Sequence, residues 1–138
     1  MNYEFKVLVC GGRDFGWKYL PTNEKVVNKE EVAFLENKLN IVKKALDEVG
    51  KSMVVVQGEA NGADNWAKKW AEKNGIKTLD FPADWNQHGK KAGYIRNKQM
   101  LDEGKPELVI AFPGGKGTKM MMTLSQQYDI PVKNYNIN

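Results

Sequence analysis

Apolar residues fall into two alternating patterns along the chain. Phe5–Cys10, Met53–Val56 and Leu108–Phe112 are short, largely apolar runs, each followed within two residues by glycine. Such runs predict strands buried on both faces of a sheet. Thr78–Phe81 and Val132–Tyr135 predict two further strands. Between the strands the period changes. Val32, Leu35, Leu39, Val42, Leu46 and Val49 recur at steps of three and four, which predicts an amphipathic helix. Asn28 with Glu31 marks its start and Gly50 its end. Ala63, Trp66, Ala67, Trp70 and Ala71 predict a second helix closed by Asn74 and Gly75. A third is expected from about Tyr94 to Glu103, and a last one through about Tyr128. Gly16–Asn28 and the basic stretch Pro82–Gly93 lack periodicity and read as loops.

Strands alternating with helices specify the α/β class. The expected architecture is a single Rossmann-like domain over residues 1–138, with a doubly wound sheet of five mainly parallel strands. Right-handed crossovers suggest the strand order 3-2-1-4-5, and ligands bind where such winding reverses, beyond the carboxyl ends of the first and fourth strands. Gly11, Gly12 and Arg13 follow the first strand, and Pro113-Gly-Gly-Lys-Gly-Thr118 follows the fourth. The two turns therefore meet in one crevice, bordered by Gly58–Asp64 from the second strand.

The turn after the fourth strand carries the clearest chemistry. Glycines let backbone amides approach a ligand closely, because no Cβ intervenes. Thr118 is placed to cap the next helix, whose first amides carry a partial positive charge. Strand, glycine turn and helix N-terminus together predict a phosphate cradle at Gly114, Gly115, Gly117 and Thr118. Two better-known nucleotide motifs do not fit. Gly50-Lys51-Ser52 has the tail of a P-loop, but Ala45 stands where its leading glycine belongs. Gly11, Gly12 and Gly16 do not match the dinucleotide fingerprint.

Composition narrows the classes further. Net charge is +4, from 21 basic and 17 acidic residues, and the lysines are scattered. Nucleic-acid binding is compatible with that charge but not favoured, since such proteins gather it on one face. Cys10 is the single cysteine and His88 the single histidine, so no metal site and no cofactor is expected. No apolar run approaches a membrane span and no signal-peptide pattern opens the chain, so a cytoplasmic protein is expected.

Four segments together resemble the SLOG superfamily: Gly11-Gly-Arg-Asp-Phe15, Gly58-Glu-Ala-Asn-Gly-Ala-Asp64, Gly93-Tyr-Ile-Arg-Asn-Lys-Gln-Met100 and Pro113–Thr118. That superfamily includes the lonely-guy nucleotide phosphoribohydrolases and the DNA-processing protein A family. The chain is most similar to the small YspA-like SLOG proteins of bacteria and phages. The resemblance implies a nucleotide or nucleotide-derived ligand and a homodimer, and it matches the family's arginine with Arg96. The lonely-guy enzymes place glutamates on the helical turn after their glycine motif, where this chain has Lys119, Met120 and Met121. The anion-binding half of the site carries over and the acid half does not.

Three functional readings follow. The favoured one is binding of a phosphate-bearing nucleotide or ADP-ribose-like signal, with Arg13 and Arg96 as counter-charges and Gly11, Gly12 and Gly58 allowing close approach. The second is an N-glycosidase releasing base from a nucleoside phosphate, which needs a carboxylate. Glu59 and Asp64 are its candidates, with Asp14 and Asp84 nearby, although Asp64 also suits a helix cap. The third is single-stranded DNA binding. Trp66 and Trp70 have core spacing, whereas Trp17 and Trp85 lie in loops and can stack on a base. Met120, Met121, Leu124 and Tyr128 put more apolar surface on the last helix than one sheet face needs, which predicts a dimer through that helix.

Overall fold

The fold is described from a computed structural model covering residues 3–136. Five strands form the central sheet: β1 (Tyr3–Cys10), β4 (Lys51–Gln57), β5 (Lys77–Asp80), β6 (Leu108–Ala111) and β7 (Val132–Asn134). Their spatial order is β5-β4-β1-β6-β7, and every neighbouring pair is parallel. Counted within the sheet alone this is third, second, first, fourth, fifth. β1 is central, paired with β4 through Leu8↔Val56 and with β6 through Leu8↔Val109.

Strand periodicity sorts the core into two layers. Val7 and Val9 of β1 face one side with Val55 and Ile110, under helices α1 (Lys29–Glu48) and α2 (Ala63–Lys73). Leu8 and Cys10 face the other with Val56, Val109 and Ala111, under α4 (Ala92–Gly104) and α5 (Lys116–Gln127). Both faces are covered, which is why these strands are apolar at successive positions instead of alternate ones. Leu35, Leu39, Val42 and Leu46 form the buried stripe of α1. Val49 caps that helix and Gly50 follows at φ +72°, a left-handed backbone that suits glycine.

Several expected boundaries move. The Gly16–Asn28 stretch is not a plain loop: β2 (Trp17–Tyr19) and β3 (Lys25–Val27) make an antiparallel hairpin standing off the sheet. Three-residue strands are too short to show a periodicity. The hairpin is tied at its base, where the Asn28 amide donates to the Gly16 carbonyl and the Gly16 amide to Glu31 Oε1. Asn28 caps α1 by accepting from the Glu31 amide, but the Glu31 carboxylate holds the hairpin instead of completing a reciprocal capping box. Within Pro82–Gly93 a short helix α3 (Trp85–His88) and a 3₁₀ turn (Gly89–Lys91) precede α4, which starts two residues before Tyr94.

The apolar residues of the last helix are partly accounted for within the chain. Met121 and Leu124 are buried, and Met120, Met122 and Tyr128 pack around them on the core beneath α4 and α5. Much of the apolar surface of α5 is thus used to cover β6 and β7, while Met120, Met122 and Tyr128 stay partly exposed. Among the described residues no helix is long and apolar enough to cross a membrane.

Candidate functional site

The carboxyl ends of β1, β4 and β6 open into a cleft of about 330 Å³. Its wall takes Cys10–Arg13 from the first turn, Asp64 from α2, Arg96 and Asn97 from α4, and Gly115–Thr118 from the start of α5. Segments over a hundred residues apart in sequence thus face one space. Gly12 is the hub. Its amide donates to the Pro113 carbonyl at 2.8 Å, and its carbonyl accepts from the Ala63 amide at 3.2 Å. A Cβ on Gly12 would lie 3.0 Å from the Gly114 Cα, so these two glycines let the turns pack backbone against backbone. Asn136 secures the outer side by accepting from the Gly114 amide at 3.0 Å.

The remaining glycines of the second turn are different. A Cβ on Gly115 or Gly117 would meet nothing within 4 Å. Gly115 is the N-cap of α5 at φ −104°, so its backbone does not require glycine. Thr118, expected as the cap, is instead buried inside the first turn, and no side chain caps the helix. The capping role therefore falls to a residue without a side-chain acceptor. The amides of Lys116, Gly117 and Thr118 precede the first intrahelical donor and have no carbonyl of their own helix to bond.

Asp64 does not cap α2 either; Gly62 holds that position. The Asp64 carboxylate turns back under the preceding loop, and its Oδ2 accepts from the Gly58 amide at 3.1 Å. At 5% exposure it is nearly sealed. Burial pushes its pKa up to about 6, against the opposing pull of the Arg96 charge and the loop amides. Arg96 is half-buried and clamps the same loop, donating from Nη1 to the Gly58 carbonyl and from Nε to Asn97 Oδ1 at 3.0 Å. Burial lowers its pKa most, and the Arg13 charge lowers it further while Asp64 raises it. A guanidinium nonetheless stays protonated in a protein. Gly58 is needed for this clamp, because a Cβ there would run into the Arg96 guanidinium. Burial also pushes the Cys10 thiol up, so the cysteine at the cleft floor is not a nucleophile.

Glu59 goes elsewhere. Its backbone is left-handed at φ +56°, and its carboxylate pairs with Lys68 of α2, which also reaches Asp80 at 3.2 Å. It lines a shallower neighbouring cavity with Arg13, Asn61 and Trp85, outside the main cleft wall. Asp14 accepts from the Tyr19 hydroxyl and braces the hairpin, while Asp84 caps α3 through the Gln87 amide. His88 shares an adjoining cavity with Asp80 and Asp84. Trp70 is core, with its indole N–H on Asn40 at 2.9 Å, and Trp66 packs at a tilt against Trp17.

Three polar residues that shape this region escape sequence reasoning. Gln57, fully buried at the end of β4, donates to Asp80 at 2.6 Å and accepts from the Glu59 amide. Asn97 positions Arg96, and Asn136 holds Gly114. Only Gln57 leaves a trace in sequence, as a polar residue ending an apolar strand.

Residues 5–88 match the family described as the YspA, cpYpsA-related SLOG family, and the chain belongs to it. It is also similar to the Gene 61 protein of Mycobacterium phage D29, at 40% identity over 99 residues covering 64% of this chain and 78% of that protein. No solved structure matches. The family match takes in the Gly11–Phe15 and Gly58–Asp64 segments; Arg96 and the Gly114–Thr118 turn lie beyond it.

Proposed function

We propose that this chain is a single SLOG domain that binds a phosphate-bearing nucleotide or nucleotide-derived ligand, such as an ADP-ribose-like signal, in the cleft. One observation carries the reading: Arg13, Arg96 and Lys116 line the cleft against a single carboxylate, Asp64, whose ionisation burial already opposes. Two guanidiniums held near each other favour an anion between them. The open faces of Gly115 and Gly117 leave the α5 amides accessible to its oxygens. Isothermal titration with nucleoside monophosphates and ADP-ribose tests this. Arg96→Ala should weaken binding by about 1.5–3 kcal/mol, roughly ten- to a hundredfold. Equal affinity in a folded Arg96→Ala protein removes Arg96 from the site.

A second reading rests on Asp64. It is the acid in the cleft wall, and a pKa near 6 suits a proton donor or acceptor near neutral pH. An N-glycosidase of this chain would use Asp64 in preference to Glu59, and release of free base from nucleoside monophosphates is its readout. Homodimerisation through the last helix is supported by the resemblance and by the partly exposed Met120 and Tyr128, and light scattering at high micromolar concentration decides it.

A further inference from the structure

Trp85 differs from the other three tryptophans. Trp70 is buried, and Trp66 and Trp17 face each other. Trp85, at the start of α3, is 48% exposed, and among the described residues no aromatic ring pairs with it. Its ring borders both the main cleft and the shallower cavity beside it. The Arg13 guanidinium lies over the ring, 5.5 Å from its centroid. Tyr94, 49% exposed, stands on the same cleft wall. The ring's position is held from behind. Asp84 caps the helix that carries it, and Gly93 of α4 lies behind the ring edge, where a Cβ would be in ordinary contact at 3.6 Å. A large apolar face kept exposed and oriented at the rim of a cationic cleft is unfavourable by itself and fits a planar aromatic group arriving from solvent.

We infer that Trp85 is the stacking face for the nucleobase of the ligand, with Arg13 bridging base and phosphate positions. The inference rests on the phosphate reading of the cleft and deepens it, by giving the base of the proposed nucleotide a place and a share of the affinity that a sugar phosphate lacks. A ring on Trp85 and a phosphate on Gly115–Thr118 would share Arg13, which belongs to the turn after β1, lines the same cleft and lies beside one face of the indole. Base-on-aromatic stacking tolerates any base, so the site discriminates ligands by the presence of a base more than by its identity.

The test compares adenosine 5′-monophosphate with ribose 5-phosphate by titration calorimetry. The wild type should prefer the nucleotide by roughly five- to a hundredfold, the range expected of one stacked base. Trp85→Ala should abolish that preference while leaving ribose 5-phosphate affinity near wild type, and Trp85→Phe should restore most of it. The nucleotide, but not ribose 5-phosphate, should quench tryptophan fluorescence, and the quench should vanish in Trp85→Phe although that variant still binds. A nucleotide preference unmoved by Trp85→Ala, or equal loss of both ligands in that variant, overturns the stacking role alone. Failure of the wild type to bind either ligand overturns the phosphate reading together with it.

Discussion

The turn after β6 and the loop after β4 both border one cleft, yet a side chain would meet opposite surroundings at Gly115 and Gly117 and at Gly58 and Gly62. On Gly115 or Gly117 it enters open space. On Gly58 or Gly62 it strikes the Arg96 guanidinium or the Gly12 carbonyl. Gly115 and Gly117 keep amides reachable from solvent, while Gly114 beside them packs on Gly12; in the second region glycine lets three loops and an arginine pack against each other. The acids divide along the same line. Asp64 is sealed beneath the packed loop, whereas Glu59, one residue past Gly58, points outward to Lys68. A glycine-rich motif thus contains separable ligand-facing and scaffold positions.

The largest expected effect breaks the scaffold. Gly62 combines φ +85° with backbone oxygens where a Cβ would sit, so neither strain nor clash can relax. Gly62→Val should cost about 2–6 kcal/mol in a denaturant titration. An unchanged midpoint would erase the distinction between the two regions. Gly115→Val should do the reverse: the midpoint stays near wild type while ligand affinity falls. Blocking two charge-assisted amide contacts at about 1.5–3 kcal/mol each predicts a loss of roughly a hundredfold or more. Retained affinity in that folded variant would take the phosphate off the turn.

Asp64 sharpens the comparison through pH. Its folded pKa, about 6, lies above the ordinary 3.8, so the folded state binds the proton more tightly. That contribution to stability is fully present below about pH 4 and is lost as pH rises through 6. The ionised carboxylate then opposes folding by up to roughly 3 kcal/mol. The stability of Asp64→Asn relative to wild type should therefore rise between pH 4 and 7, as followed by thermal melts across that range. A flat difference would mean that Asp64 is not desolvated. The smallest effect belongs to Glu59→Gln. Its pair with Lys68 is partly exposed, so the loss should stay within about 1 kcal/mol, with ligand affinity unchanged. A tenfold change in affinity would place Glu59 inside the site after all.

The chain's hydrophobic pattern by itself determines the class of the fold and that its sheet is covered on both faces. Val7 to Cys10 and Val109 to Phe112 are apolar at successive positions, which only a strand covered on both sides tolerates, and the α1 stripe has one face to bury. Chain handedness narrows the strand order to a few doubly wound alternatives, and the order observed brings Gly12 to Gly114. What the tertiary structure decides is where polar side chains go once that scaffold exists. Sequence places Glu59 and Asp64 equally near the crevice; the left-handed backbone at Glu59 and its partner Lys68 turn one out, and the Gly58 amide draws the other in. Sequence shows the apolar residues of α5 but not whether the sheet consumes them, because burial depends on how β6 and β7 sit beneath the helix. Periodicity records which face of an element is buried. Hydrogen bonds between Arg96 and Gly58, or Gly114 and Asn136, join positions whose closeness exists only after folding.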